Sequence, residues 1–152
     1  MIKLAPLADA GLMIDPLLNY PGYLLRRASA VAMARLAKQL KGFQLSPTEA
    51  TVLTVIDANP GANQSDICRL LDIARANMAP LVSRLADRDL IERQPVDKRS
   101  HGLTLTRTGR SLTAKVKTVF GEHEADLLAN IPAAQRELFF TVIRLLSGRQ
   151  SQ

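Results

Sequence analysis

The sequence predicts a mainly α-helical protein with one small β-hairpin. Ala, Leu and Arg are abundant among its 152 residues, whereas aromatic residues make up only 4%, and this composition favours helices over an all-β fold. Apolar residues recur at helical spacing in six segments, several of which are bounded by capping residues. A single pair of short segments between residues 90 and 106 has the pattern of paired strands.

The first predicted helix is long and amphipathic. It begins at Leu17 or Tyr23 and ends at Leu40, and Gly42 follows at the position where a glycine ends many helices. Its basic residues lie away from its apolar side. That apolar side comprises Leu24, Ala28, Val31, Leu36 and Leu40.

The second helix has the clearest start signal. Ser46-Pro47-Thr48-Glu49 is a capping box with proline at the first helical position, and Asn59-Pro60-Gly61 ends the helix. A short third helix begins near Asn63, which can cap it, and Asp66 adds a favourable charge to its first turn. A turn follows at residues 72–73. The apolar edge of the third helix comprises Ile67, Leu70 and Leu71.

The fourth helix, from about Arg75 to Arg88, has an outer face made of small and polar residues. Its buried stripe comprises Met78, Leu81, Val82 and Leu85. The opposite face comprises Ala76, Ala79, Pro80 and Ser83, flanked by Arg75, Asn77 and Arg84. Because Pro80 lacks a backbone N–H, we expect a kink or a tightened first turn; alternatively, the helix begins later in the sequence.

The remaining chain predicts the hairpin and two further helices. Two short strands, Leu90–Gln94 and Leu103–Thr106, are joined by a polar loop. A fifth helix runs from Thr106, its candidate cap, to about Ala129, and a sixth follows Asn130-Ile131-Pro132. The sixth helix carries more apolar residues than one small core can use: Leu138, Phe139, Val142, Ile143, Leu145 and Leu146.

Positive charge is concentrated in two parts of the chain. The net charge is +6, and residues 16–48 and 98–121 contain several cations but no acid, so a polyanion is the first partner to test. Asp97-Lys98-Arg99 places two cations at the expected tip of the hairpin, with Asp97 close enough to hold Arg99 in one rotamer. A pre-oriented guanidinium suits the narrow minor groove of DNA. The alternative is an ordinary solvated turn.

The order of elements is that of a winged helix-turn-helix, in which the second helix of the pair enters the DNA major groove. Ala76, Ala79 and Ser83 would leave the backbone of the fourth helix free to approach the bases closely. Asn77 has the chemistry to pair with adenine, and the Ser83 hydroxyl suits several base edges. The alternative is an exposed face that holds small residues without a function.

From about Pro21 to Leu146, the sequence resembles the MarR family of bacterial transcriptional regulators. The most specific match is DKRSHGLTLTRTG at 97–109, which is similar to the family's wing signature of Asp-x-Arg followed by Leu-Thr-x-x-Gly. Supporting matches are LSPTEATVL at 45–53, NMAPLVSRL at 77–85 and LIER at 90–93.

The resemblance implies a homodimer whose interface is built by the first, fifth and sixth helices, which would explain the surplus of apolar residues. Residues 1–42 and 107–152 would form a helical dimerisation region, and residues 43–106 a winged helix-turn-helix lobe. Two such lobes bind a pseudo-palindromic operator on double-stranded DNA, usually as a repressor that a small ligand releases. Activation instead of repression stays open.

The family's DNA-binding roles carry over by position. Arg99 becomes the minor-groove residue and Asp97 its orienting partner. Ala74 stands where many members have a capping Asp or Ser, and Ala76-Asn77 replaces a common Ser-Thr pair, so base preference does not transfer. The expected DNA-binding residues are Arg75, Ala76, Asn77, Ala79, Pro80, Ser83, Arg84, Lys98 and Arg99.

Relatives that sense aromatic acids or phenols bind them in a cleft between the dimer helices and the DNA-binding lobe. Tyr20, Tyr23, Arg26 and Arg27 lie in the region that borders such a cleft, and an arginine beside an aromatic ring suits a carboxylate on a ring. In the alternative interpretation, both arginines are solvated and the tyrosines pack against the partner subunit.

Other functions have weaker support. Cys68 is the single cysteine, and we expect it to pack in the core, although some relatives are thiol switches and an oxidation sensor stays an alternative. His101 and His123 lack further ligands at metal spacing, so no metal or other cofactor is expected. The sequence contains no motif that predicts an enzyme.

We expect the protein to act in the cytoplasm, because the sequence shows neither a signal peptide nor an uninterrupted apolar stretch that could span a membrane. A different class of function is a basic winged-helix scaffold that binds nucleic acid or protein without reading sequence.

Overall fold

The computed structural model describes residues 14–95 and 101–148. These residues form a mainly α-helical fold with one antiparallel hairpin, which confirms the predicted fold class. The helices are α1 (Pro21–Leu40), α2 (Pro47–Ala58), α3 (Gln64–Leu71), α4 (Arg75–Asp87), α5 (Arg107–Ala129) and α6 (Arg136–Leu146). The strands are β1 (Ile91–Pro95) and β2 (His101–Leu105), and short 3₁₀ turns occupy Lys41–Phe43 and Ala133–Gln135.

The predicted helix starts at α2 and α3 are confirmed. The Ser46 hydroxyl accepts a hydrogen bond from the Glu49 N–H, and a Glu49 carboxylate oxygen accepts one from the Ser46 N–H, so both halves of the capping box are present. The Asn63 side chain accepts from the Asp66 N–H at 2.9 Å and caps α3.

The helix α1 ends at Leu40, as predicted, but Gly42 does not have the expected role. Gly42 does not end the helix, because the chain continues into the 3₁₀ turn and the left-handed residue is Gln44, at φ 54°. The Arg88 guanidinium donates to the carbonyls of Gln44 and Phe43, at 2.7 and 2.9 Å. This contact from the end of α4 holds a turn that sequence alone assigned to glycine.

The core lies between the second half of α1, the helix-turn-helix and the first half of α5. The predicted stripe of α4 is fully confirmed as buried, whereas Leu70 on α3 was expected inside and is 46% exposed. On that short helix Ile67 and Cys68 face the core instead. The largest fully buried side chains include Leu40, Leu53, Ile56, Ile67, Met78, Val82, Leu85, Leu103 and Val116.

The hairpin is joined to the segment before α3, a contact that the sequence did not predict. Leu103 exchanges backbone hydrogen bonds with Gly61 and Ala62, both at 2.9 Å, so this segment adds a short third edge to the two strands. A Cβ at Gly102 would lie 2.2 Å from the Gly61 carbonyl oxygen, and only glycine allows this approach. The observed strands begin and end one or two residues away from their predicted bounds.

Thr106 caps α5, as predicted, and its surroundings fix the hairpin to that helix. The Thr106 hydroxyl accepts from the Gly109 N–H at 2.9 Å and donates to the Asp89 carbonyl at 2.6 Å. A Cβ at Gly109 would lie 1.9 Å from the Leu90 carbonyl oxygen, so helix and strand meet closely. The Leu-Thr-x-x-Gly pattern thus corresponds to a close backbone contact between the start of α5 and Leu90, just before β1.

The C-terminal helix leaves its apolar residues uncovered. No residue of α6 is buried, and Leu138, Leu145 and Leu146 are 64, 74 and 64% exposed in the described chain. This is the surplus that the sequence indicated. Across the part of the chain that the structure describes, no helix is both long and apolar enough to cross a membrane.

Candidate nucleic-acid interface

The outer face of α4 is open, as predicted. All seven residues assigned to it are exposed: Arg75, Ala76, Asn77, Ala79, Pro80, Ser83 and Arg84. No cation in the first turn of α4 is paired with an acid among the described residues, and Ala74 provides no side-chain cap. The small side chains at the centre of this face allow another surface to come close to the helix backbone.

Pro80 lies inside α4, which begins at Arg75, so the alternative of a later helix start is wrong. The first turn is tightened: the Ala74 carbonyl accepts from the Asn77 N–H at 2.9 Å as well as from the Met78 N–H at 3.3 Å. The turn before α4 is set by Asp72, whose φ of 53° is left-handed, and by the Ile73 N–H, which donates to the Cys68 carbonyl. Together these contacts fix the angle between α3 and α4.

Arg84 is the one residue of this face whose guanidinium is held by an acid of another helix in the described chain. Its Nε donates to Glu49 Oε1 at 3.0 Å, across 35 positions of sequence. The other Glu49 oxygen accepts from the N–H and hydroxyl of Ser46, at 2.9 and 2.8 Å. Burial alone would raise the pKa of Glu49, but the hydrogen bonds from Ser46 and Arg84 outweigh it and hold that pKa below its ordinary value.

The three charged residues predicted at the hairpin tip, Asp97, Lys98 and Arg99, lie outside the described residues. The strands beside them carry two side chains that the sequence did not assign to this interface. Arg93 on β1 and His101 on β2 line a cavity of about 480 Å³ between the hairpin and α3. Arg69 on α3 also lines it and forms an ion pair with Asp66 at 2.9 Å. The sequence signal that could have identified Arg93 and His101 is their polar character at exposed strand positions.

The tyrosine and arginine residues near the start of α1 only partly meet at one site. Asp15 Oδ2 accepts from the Tyr23 hydroxyl at 2.8 Å and from Arg27 at 3.1 Å. The Leu17 N–H and then the Tyr23 hydroxyl lower the pKa of Asp15, with a smaller contribution from Arg27. Arg26 stacks over the Tyr23 ring at 5.3 Å, and Tyr20 is 61% exposed.

A second cavity of about 480 Å³ lies between α1, α5 and the start of α6. Arg27 is the only one of the four predicted residues that lines it; Tyr20, Tyr23 and Arg26 do not. The sequence drew attention to His123 only as a possible metal ligand and did not assign it to an effector site; it is 4% exposed and faces this cavity. Its walls are mostly apolar and include Leu24, Ala28, Val31, Leu127, Ile131 and Phe139. Besides Arg27, the lining includes Arg35 and Asp126, so the cavity combines mostly apolar walls with two cations and one acid.

Cys68 is 7% exposed and packs in the core, as expected. Within residues 14–95 and 101–148, no group of His, Cys, Asp and Glu has the arrangement of a metal site.

Comparisons of the sequence and of the structure with known proteins both find transcriptional regulators. The sequence pattern of the MarR family matches residues 43–100. The transcriptional repressor CouR bound to a 23-mer DNA duplex is 32% identical, with a TM-score of 0.81 over 90% of this chain and 98% of that one. CouR bound to p-coumaroyl-CoA is 30% identical with a TM-score of 0.80, covering 90% of this chain and 97% of that one.

Two further relatives come from named bacteria. The Mycobacterium tuberculosis MarR family protein Rv2887 in complex with salicylic acid is 26% identical, with a TM-score of 0.68 over 83% of this chain and 95% of that one. A putative transcriptional regulatory protein for the hcr operon of Thauera aromatica is 26% identical over 134 residues, which cover 86% of this chain and 81% of the relative.

Proposed function

The chain belongs to the MarR family of transcriptional regulators, and from this premise we propose that it is a homodimeric repressor that a small aromatic or phenolic acid releases from a pseudo-palindromic operator. The observation that carries the DNA-binding part is the slim, exposed face of α4, beside an arginine fixed by a carboxylate. The similarity to CouR on a DNA duplex extends over nearly the whole chain.

The assignment of individual residues to DNA is part of the proposal. Residues 75–84 of α4 enter the major groove, where the exposed Asn77 and Ser83 are the candidates for base contacts. Lys98 and Arg99 follow the same reasoning from sequence: Arg99 reaches the minor groove and Asp97 orients it. Support for these three residues comes from the sequence and the family resemblance, because they lie outside the described structure.

The division into two regions is likewise proposed. Residues 43–106 contain most of the buried core and form the DNA-binding lobe, and residues 1–42 with 107–152 form the dimerisation region. The exposed leucines of α6 support this division, because apolar side chains of this number are normally covered by a partner. A second copy of the chain is the expected cover.

We assign the effector to the cavity between α1, α5 and α6. Its apolar walls suit an aromatic ring, and Arg27 at its edge suits a carboxylate. Asp15 forms an ion pair with Arg27 at 3.1 Å, so a bound acid would compete with Asp15 for the guanidinium. The salicylic acid bound to Rv2887 and the p-coumaroyl-CoA bound to CouR support this ligand chemistry.

We propose that the protein acts by binding, without a chemical step, and that it acts in the cytoplasm, where its proposed DNA target would lie. The relatives named above are described as a transcriptional regulatory protein and as transcriptional repressors. The duplex titration tests the scaffold alternative, and peroxide treatment tests the thiol-switch alternative.

The DNA-binding proposal is tested by titrating the purified protein against the DNA upstream of its coding region, with a random duplex of equal length as competitor at fixed salt. We expect a preference of about a thousandfold or more. Arg99→Ala is expected to lose affinity mainly on the preferred duplex. Equal affinity for both duplexes, with a steep loss in salt, would replace the operator proposal by the scaffold alternative.

The effector proposal is tested with salicylate as the probe and Arg27→Gln as the variant. Wild-type protein should release the upstream duplex as salicylate is added, and Arg27→Gln should require roughly tenfold more salicylate, because a charge-assisted hydrogen bond is lost. Arg26→Gln is the matched control, since it removes the same charge one residue away but does not line the cavity. If both variants have the same effect, the effector does not bind in this cavity.

A further inference from the structure

The ion pair between Arg84 and Glu49 has a geometry that goes beyond helix capping. The capping box uses only one oxygen of the Glu49 carboxylate, Oε2, which accepts from the Ser46 N–H and hydroxyl. The second oxygen, Oε1, accepts from Arg84 Nε. Because the side chain of Glu49 is only 11% exposed, its carboxylate is a fixed point at the start of α2.

Arg84 is only partly used by this contact. Its side chain remains 59% exposed although Nε is held. Neither Nη group of Arg84 has a hydrogen-bond partner in residues 14–95 and 101–148. The guanidinium is planar, so a bond at Nε fixes the direction in which both Nη groups point.

The position of Arg84 relates this fixed guanidinium to the DNA-facing surface. Arg84 and Asn77 lie two helical turns apart on the exposed side of α4. Both line a groove of about 630 Å³ between α4 and the start of α2, together with Ser46, Thr48 and Pro80. The Nη groups are therefore donors held at the edge of the helix that enters the major groove, where phosphates of the DNA backbone lie.

We propose that Glu49 is a positioning residue that fixes the Arg84 guanidinium so that its two Nη groups bind one phosphate of the DNA backbone. This inference rests on the DNA-binding function proposed above and adds the residue that sets the geometry of one contact. Glu49 itself does not touch the DNA. Its negative charge opposes binding by long-range repulsion, so any benefit to affinity has to come from its effect on Arg84.

This opposition between charge and geometry makes the proposal testable. In Glu49→Gln, a single amide oxygen replaces the two carboxylate oxygens, so it cannot serve both Ser46 and Arg84 as before. The variant also removes one negative charge from the DNA-binding lobe. Simple electrostatics predicts tighter binding to every duplex, whereas the positioning role predicts weaker binding to the preferred one.

The experiment measures the affinity of the full-length protein for the preferred upstream duplex and for a random duplex of the same length, over a series of salt concentrations. Glu49→Gln is expected to bind the upstream duplex about five- to tenfold more weakly, because a charge-assisted contact is no longer fixed. Its affinity for the random duplex should stay the same or rise. Arg84→Ala should reduce the slope of log K against log salt by about 0.9, as one phosphate contact is lost.

Three further variants separate positioning from other roles. In the Arg84→Ala background, Glu49→Gln should no longer weaken binding, because its target is gone. Arg84→Lys keeps the charge and leaves the capping box intact, yet it should weaken binding to the upstream duplex as Glu49→Gln does. If Glu49→Gln does not fold, Arg84→Lys serves as the test instead. Asp57→Asn is the charge-matched control, since Asp57 lies at the other end of α2 and pairs with Lys117.

Two results would overturn the inference: unchanged or tighter binding of Glu49→Gln to the upstream duplex, or the same weakening by Glu49→Gln with and without Arg84. Either result would mean that Glu49 acts only as a helix cap and does not position Arg84. A wild-type protein that shows no preference between the duplexes would instead refute the operator proposal, and the salt slope of Arg84→Ala would then still report whether Arg84 contacts a phosphate.

Discussion

Replacing Gly109 with alanine is expected to destabilise the protein strongly, although Gly109 lies inside a helix where alanine normally helps. The added Cβ would lie 1.9 Å from the Leu90 carbonyl oxygen, and ordinary contact begins at 3.4 Å. The start of α5 and the end of the Leu90 peptide would therefore have to separate by about 1.5 Å. Both groups are backbone, so no side-chain rotation can relieve the contact.

The magnitude follows from three contributions. Forced separation in a packed region costs about 3 kcal/mol. The hydrogen bond from the Thr106 N–H to the Leu90 carbonyl, 3.1 Å long, would be lost at a cost of about 1 kcal/mol. The better helix propensity of alanine returns about 1 kcal/mol. We therefore expect a net loss of about 3 kcal/mol, or a fall in Tm of roughly 6 to 12 °C for a chain of this size.

The assay is thermal and urea unfolding at one fixed protein concentration, because the stability of a dimer depends on concentration. Gly121→Ala in the same helix is the control: within residues 14–95 and 101–148, no atom lies within 4 Å of the added Cβ, and the variant should stabilise the protein by about 0.5 to 1 kcal/mol. A Gly109→Ala protein as stable as the wild type would show that the joint between hairpin and α5 is not tightly packed, and the reasoning would fail.

The other predictions concern acid stability, oxidation and assembly. The pKa of Glu49 is lowered in the folded state, so its contribution to stability is present above about pH 4.5 and is lost as the pH falls through its folded pKa. The difference in urea midpoint between wild type and Glu49→Gln should therefore be largest near pH 7 and shrink in acid, and a constant difference would contradict this. Cys68 is 7% exposed, so peroxide should leave DNA binding unchanged; a loss that Cys68→Ala prevents would favour the thiol switch. Leu145→Asp should convert the dimer to a monomer in sedimentation, since Leu145 is 74% exposed in the single chain and needs a cover, and an unchanged dimer would move the interface away from α6.

Local signals were sufficient to predict most element boundaries. The capping box at Ser46, the cap at Asn63 and the cap at Thr106 each involve residues within three positions of one another, so their hydrogen bonds are readable from adjacent sequence. The buried stripe of α4 was equally accessible, because helical period alone decides which side chains share a face. These signals placed the helix-turn-helix and the exposed face of α4 that we propose to meet DNA.

The features that the sequence did not reveal depend on contacts between distant segments. The end of α1 at Leu40 was predicted correctly, but Gly42 was expected to stop the helix, whereas the left-handed residue is Gln44 and Arg88 donates to the carbonyls of this turn. Such a tertiary contact overrides the local preference for glycine at the left-handed position, and the sequence near residue 42 gives no sign of it. Leu70 was expected inside for a similar reason: helical period gives the angle between side chains on α3 but not which of two adjacent faces the neighbouring helices cover.

The pair of Glu49 and Arg84 illustrates the same limit at the candidate site itself. Sequence reasoning placed Arg84 near DNA from its position on α4 and assigned Glu49 to a helix cap, and both statements describe one helix at a time. Only the folded lobe brings the free carboxylate oxygen within 3.0 Å of Arg84 Nε. A residue that serves a local cap with one oxygen and a distant arginine with the other has two reasons to be glutamate. The local reason is visible in the sequence and conceals the second, so the charge-matched and background variants are needed to tell the two apart.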